Sequence, residues 1–226
     1  MAKLAVICEG KTERKFCDEL LVAHLAPRGI EVQAIEIGVD CLQPGGNVTF
    51  ARVLHDLELL LPDYDYVTTL VDFFRLCDDW TGLNKISPGM SSSEQAEVVE
   101  QSALDDAKNS MPNVDVATRF IPNVLMHEFE GLLFTDPAAI VDITRAHSSL
   151  ADLTNVAAAF PSPEDINTGR DTAPSKRLKK LGANYGKIAH GARIAAQIGV
   201  AAIRTACPHF DLWLSKLENL DEAIIR

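Results

Sequence analysis

Cysteine is too sparse to build a scaffold. Cys8, Cys17, Cys41, Cys77 and Cys207 are odd in number and form no close pair, which excludes a disulfide framework or a zinc knuckle and leaves reduced, partly buried thiols. The six histidines are scattered, with no His-x-x-x-His pairing, so the usual zinc-enzyme pattern is missing as well. No apolar run approaches the roughly 18 to 20 residues of a membrane span, and the N-terminus lacks a signal-peptide layout, so no membrane association and a cytoplasmic location are expected. Basic residues are in deficit, with 21 Lys and Arg against 32 Asp and Glu, a formal net charge of −11. Such a surface repels polyanions as a whole, and any nucleic-acid site must be local.

What the chain has is apolar substance, 47% of its 226 residues, enough for a sizeable core in one α/β domain with or without a helical annex. The stretch Leu4 to Phe16 organises it. Leu4 to Cys8 has the length and Val/Ile content of a buried parallel strand. The chain then turns through Glu9 and Gly10, and Thr12 is the expected N-cap of a helix running to a stop at Gly29. Glu9 thus sits at the carboxyl end of a strand, where open α/β sheets place their ligands, and Glu13 follows one helical turn later. The pair is open to two readings: turn and helix-end chemistry, or two oxygen ligands for a divalent cation.

Further along, Ile30 to Ile37 alternates as a second strand, Pro44-Gly45-Gly46 makes a loop, and Val48 to Leu61 is a crossover helix capped by Asn47. Tyr66 to Phe74 is a third strand, β-branched and aromatic, with Asp72 near its carboxyl end. If the two strands are parallel, Asp72 shares a rim with Glu9. Arg75 to Ser93 is a polar loop of the kind that carries binding residues, Glu94 to Met111 a helix, and Val116 to Val124 a fourth strand with Pro122 near its end. In Leu125 to Phe134, a helix would separate Glu128 from Glu130 by about 200°, whereas an extended start would put both on one face. Either way one of them can reach the rim. His127 reads as a local hydrogen-bonding partner.

From Pro137 the strand signals stop. Ala138 to Ile143, Leu150 to Phe160, Pro174 to Leu181, Gly191 to Ile198 and Val200 to Leu220 are expected helices, a C-terminal layer on the sheet. The division expected is 1–136 as the α/β core and 137–226 as a helical extension. Arg170, Lys176, Arg177, Lys179, Lys180 and Lys187 form the one basic window, and Ser175 with Lys176 and Arg177 at a helix start is a candidate anion seat.

Six segments together carry a resemblance over nearly the whole chain. They are Val6 to Glu13, Leu70 to Phe74, His127 to Phe134, Pro163 to Asn167, Thr172 to Leu178 and Cys207 to Leu214. In this order they resemble the bacterial family named for domain of unknown function 4276, which is similar to the TOPRIM domains of topoisomerases, primases and OLD-type nucleases. The resemblance implies a TOPRIM-like, Rossmann-like α/β fold: a mostly parallel sheet of about four strands flanked by helices, with acidic strand ends holding Mg²⁺ or Mn²⁺. It also implies nuclease-type phosphoryl transfer, an association with a partner ATPase, and a place in defence against phage. Glu9 matches the first-strand glutamate and Asp72 the later acidic position. TOPRIM domains usually carry Asp-x-Asp there, whereas this chain has Asp72-Phe73-Phe74, so further ligands must come from Glu13, Glu128 or Glu130. Lys11, Ser175, Lys176 and Arg177 are the expected phosphate contacts, with Lys11 and Lys176 counted beside the acids as catalytic candidates. The alternative expectation is a catalytically silent regulatory or sensor subunit that docks to an ATPase. The sequence specifies no oligomeric state.

Overall fold

A computed structural model describes residues 1–41, 45–166, 172–181 and 185–220. Pro44, Asn167 and Arg170 therefore lie outside the described residues. The first strand, β1 (Ala2–Cys8), alternates its side chains between two cores. Leu4, Val6 and Cys8 enter one hydrophobic cluster, while Ala5 and Ile7 enter the other, as the two-residue period of a strand covered on both faces requires. The following helix starts at α1 (Lys11–Phe16), continues through a π-helical turn over Cys17–Leu21 into α2 (Val22–Leu25), and ends where Gly29 turns left-handed at φ 75°. Its N-cap is Gly10, in extended backbone, rather than Thr12. Thr12 is buried instead.

β2 (Ile30–Glu36) and β3 (Tyr66–Asp72) both run parallel to β1, and the sheet order is β2-β1-β3-β4. β1 and β3 are thus central, and their carboxyl ends are neighbours. α3 (Phe50–Leu60) crosses between β2 and β3, capped by the Thr49 side chain rather than Asn47, because Val48 is extended in a bridge to Leu76. β3 stops at Asp72, two residues before the expected end, and Phe73–Arg75 forms a 3-10 turn. α4 (Ser92–Ser110) begins two residues before Glu94, since Ser91 and Glu94 close a reciprocal capping box.

The expected fourth strand is mostly not one. α5 (Val116–Arg119) is a helical turn capped by Asp115, and only β4 (Phe120–Ile121) and β5 (Val124–Leu125) pair with β3. Pro122 has no N–H for a ladder, and Asn123 replaces it by exchanging hydrogen bonds with Thr69, whose hydroxyl donates to Asn123 O and accepts from Asn123 N, both at 2.8 Å. The parallel sheet of about four strands is thus present, β2-β1-β3-β4, with the short β5 added beside β3.

After β5 come α6 (Glu130–Leu133), α7 (Pro137–Thr144), α8 (Leu150–Ala158), α9 (Pro174–Lys179), α10 (Lys187–Ile198), α11 (Val200–Ala206) and α12 (Pro208–Glu218). The expected long helix Val200 to Leu220 is broken at Cys207-Pro208, where proline can begin a helix but not continue one. These helices cover the sheet face of Leu4, Val6 and Leu70 with Phe210, Trp213 and Leu217, while α3 and α4 cover the other face with Val53, Leu57, Val99 and Ala103. Trp213 Nε1 donates to Thr68 Oγ1 at 2.9 Å, tying α12 to the central strand. α10 lies flush against α1: a Cβ added to Gly191 would stand 3.1 Å from both Phe129 and Thr12. This close approach brings the start of α10, Lys187, to the carboxyl rim of the sheet.

Candidate active site

The parallel pairing of β1 and β3 puts Glu9 directly beside Asp72. Glu9 Oε2 accepts from the Asp72 N–H and Oε1 from Arg75 Nε, each at 3.2 Å. Asp72 Oδ1 accepts from the Phe129 N–H at 2.7 Å, which leaves Oδ2 facing inward. Glu13, on the first turn of α1, and Glu130, at the start of α6, complete the group. All four acids are buried, Glu130 completely.

Lys187 stands at the centre. Its Nζ lies 3.5 Å from Glu13 Oε1, 3.4 Å from Asp72 Oδ2 and 3.3 Å from Glu130 Oε2. Burial pushes the Glu13 carboxyl up to about 7, with Lys187 opposing. Asp72 is raised well above the carboxylate range for the same reason, and Glu130 is raised too. For Lys187, burial works against the charge, but Asp72, Glu130 and Glu13 overcome it and hold the ammonium protonated.

One cation facing three buried acids does not satisfy them. Glu13 Oε1 and Glu130 Oε2 are fully buried and are faced by the shared Lys187 ammonium at 3.5 and 3.3 Å rather than by a well-aligned hydrogen bond of their own. Buried polar atoms are normally hydrogen-bonded, so buried acid oxygens that share one ammonium between them have capacity left for an ion. Among the described residues, no three acid, histidine or cysteine side chains are drawn close enough to chelate a metal as they stand. The donor set is nevertheless hard oxygen without sulfur or imidazole, which suits Mg²⁺ or Mn²⁺.

Glu128 and Glu130 both reach the site. Glu128 precedes α6, so the helical separation does not apply, and its two oxygens accept the N–H and hydroxyl of Ser175 at 2.8 and 3.0 Å. The anion beside Ser175 is therefore a carboxylate of this chain, and the contact fixes α9. Of the buried acids, Glu9, Asp72 and Glu130 line a cavity of about 420 Å³, together with Arg75, Lys176 and Lys179. A hollow of about 470 Å³ beside Gln33 and Tyr64 gathers no such buried acids.

The other expected phosphate contacts are elsewhere. Lys11 is exposed and is not part of the cavity wall. Arg177 turns away: its Nε donates to Thr172 O at 2.7 Å, and its guanidinium lies 5.9 Å from the Phe160 ring centroid. The residues not foreseen are Arg75, Tyr185, whose hydroxyl donates to Glu130 Oε1 at 3.3 Å, and Lys187 as the centre of the group. Lys187 stood in the basic window, but nothing in its sequence surroundings separates it from Lys179 or Lys180. The His127 imidazole has one weak hydrogen-bonding partner, Ser92 Oγ at 3.5 Å, and burial holds its pKa down at about 4.

No curated protein matches the chain. Among solved structures, it is similar to the C-terminal region of the Burkholderia pseudomallei OLD protein, with TM-score 0.50 and 18% identity over 99% of each chain. The arrangement is the TOPRIM-like α/β fold that the sequence motifs implied. No helix among the described residues is long and apolar enough to cross a membrane. The model of a domain of unknown function (DUF4276) matches residues 8–218, from the last residue of β1 to the end of α12 with the whole acidic rim inside, so the chain belongs to that family.

Proposed function

We propose that this protein is a Mg²⁺- or Mn²⁺-dependent phosphoryl-transfer enzyme that cleaves phosphodiester bonds in nucleic acid. The observation that carries the proposal is the group of four buried acids, Glu9, Glu13, Asp72 and Glu130, three of which share the single Lys187 ammonium, beneath a cavity with a cationic wall. Glu9, Glu13, Asp72 and Glu130 are the residues that would hold the ion. When bound, it supplies Lewis acidity and a lowered pKa for attacking water. Arg75, Lys176 and Lys179 offer donors for phosphate oxygens, with Arg75 suited to a forked contact. Glu128 acts through Ser175 to hold Lys176 at the wall. Lys187 gathers the acids and opposes the rise in their pKa that burial causes, and its half-buried ammonium adds positive charge where a phosphate would gain negative charge. A similar fold at 18% identity fits this proposal without specifying the activity, and a role in phage defence rests on the family resemblance alone.

The test is cleavage of plasmid, single-stranded DNA and RNA with Mn²⁺ by wild type, Glu9→Gln and Asp72→Asn. Cutting lost in both variants supports the enzyme, and equal cutting by all three assigns it to a contaminant. A second reading is favoured by one observation, that Lys187 already neutralises much of the acidic group. In that reading the chain is a regulatory subunit docking to an ATPase, with the acids retained for structure. Calorimetric titration with Mn²⁺ separates the two, since the regulator shows no saturable, Glu9-dependent binding.

A further inference from the structure

Phe74 is the chain's one exposed Phe, Tyr or Trp among the described residues, at 41%. A single exposed apolar side chain is ordinary and needs no function. This one, however, lines the same cavity as Glu9 and Asp72, on a wall with Arg75, Lys176 and Lys179.

Its ring is also held from behind. Phe74 leans on the His127 imidazole with ring centroids 4.7 Å apart and planes at 33°, and its N–H donates to His127 O at 3.0 Å. Phe73 stands edge-on to His127 at 6.3 Å, bracing the imidazole. His127 itself is 4% exposed, so it cannot swing away with the ring. One face of Phe74 is thus backed by a buried aromatic stack, and the rest of the ring is presented to the cavity two residues from an acid of the proposed ion site.

We infer that Phe74 is a stacking platform for an unpaired nucleobase, and that the site takes single-stranded nucleic acid in preference to intact duplex. The inference rests on the proposed function and deepens it by naming the substrate class. An exposed aromatic next to backbone-binding cations is the combination that holds single strands: stacking accepts any base, while cations follow the phosphates. In a duplex both faces of each base are already stacked, and Phe74 gains nothing.

The test measures binding in EDTA, where no cutting occurs, by fluorescence anisotropy of labelled dT12, rU12 and a 12-base-pair DNA duplex, with wild type, Phe74→Ala and Phe74→Tyr. Wild type binds a single strand more tightly than duplex. Phe74→Ala loses roughly 5- to 100-fold on the single strand and little on duplex, and Phe74→Tyr restores binding. The dT12 and rU12 arms tell whether DNA or RNA supplies the base, and either supports the platform. Single-strand binding unchanged in Phe74→Ala, or an equal loss on single strand and duplex, overturns it. The two proposals fail separately: cutting in Mn²⁺ without Phe74-dependent binding sinks the platform alone, and Phe74-dependent binding without cutting sinks the enzyme alone.

Discussion

Two groups of buried acids, one at the sheet rim and one between α4 and α12, answer the same electrostatic problem differently. In the second, Glu100 accepts from the Val124 N–H at 2.9 Å and pairs with His209 Nε2 at 2.8 Å. Glu164 accepts the N–H groups of His209 and Phe210 at 2.9 and 2.8 Å, serving as the cap that α12 lacks from Cys207. Its carboxyl is raised by burial, but those two donors and His209 pull it back. At the rim, by contrast, Glu13 and Glu130 each keep a buried oxygen that faces the shared Lys187 ammonium rather than a backbone donor. Acids that serve the fold are saturated by backbone. Acids left partly unsatisfied, around one ammonium, are those held ready for something else.

The contrast breaks first on catalysis. Glu9→Gln or Asp72→Asn should lower Mn²⁺-dependent plasmid cleavage at least about 100-fold, with little change in thermal midpoint. Glu164→Ala should do the reverse. Losing the acceptor for two buried N–H groups costs about 1–3 kcal/mol, read as a lower urea midpoint, with cleavage per folded molecule unchanged.

A smaller effect comes from pH. An unfolded Glu titrates near about 4.3, whereas native Glu13, faced by Glu9, Glu130 and Lys187, titrates at about 7. Between these values the native chain keeps a proton that the unfolded chain has lost, so metal-free stability should fall as pH rises through that window. Melting curves of Glu13→Gln should show the slope flattened. The smallest effect is of opposite origin. Burial pulls the His209 pKa down, but its hydrogen bond to Glu100 and the charges of Glu100 and Glu164 raise it overall, with Lys216 opposing. A raised histidine contributes fully below the free value of about 6.5 and loses that contribution as pH climbs through the native one. His209→Gln should remove this alkaline decline in melting temperature. A decline that persists would place its source elsewhere.

Much of this was legible in the chain where local chemistry and tertiary context agree. Leu4 to Cys8 and Tyr66 to Asp72 are apolar runs bounded by turn residues, so β1 and β3 were readable, and with them the positions of Glu9 and Asp72. Val116 to Val124 failed because β-propensity was read where Asp115 caps a helical turn and Pro122 interrupts the ladder. Glu128 and Glu130 stayed ambiguous because their common orientation depends on where α6 begins. Lys187 could not be found by spacing, since it meets Asp72 across 115 residues of chain. Only the docking of α10 makes it different from the other lysines nearby.

That docking turns on a missing methyl group. With Gly191 against Thr12 and Phe129, the helix bearing Lys187 and the helix bearing Glu13 share one bearing surface, and their separation is set like the jaws of a caliper. A larger residue at 191 would open the jaws at the rim without touching any charged atom. The gap proposed to hold an ion is therefore gauged by a contact made one helical turn away, in hydrocarbon.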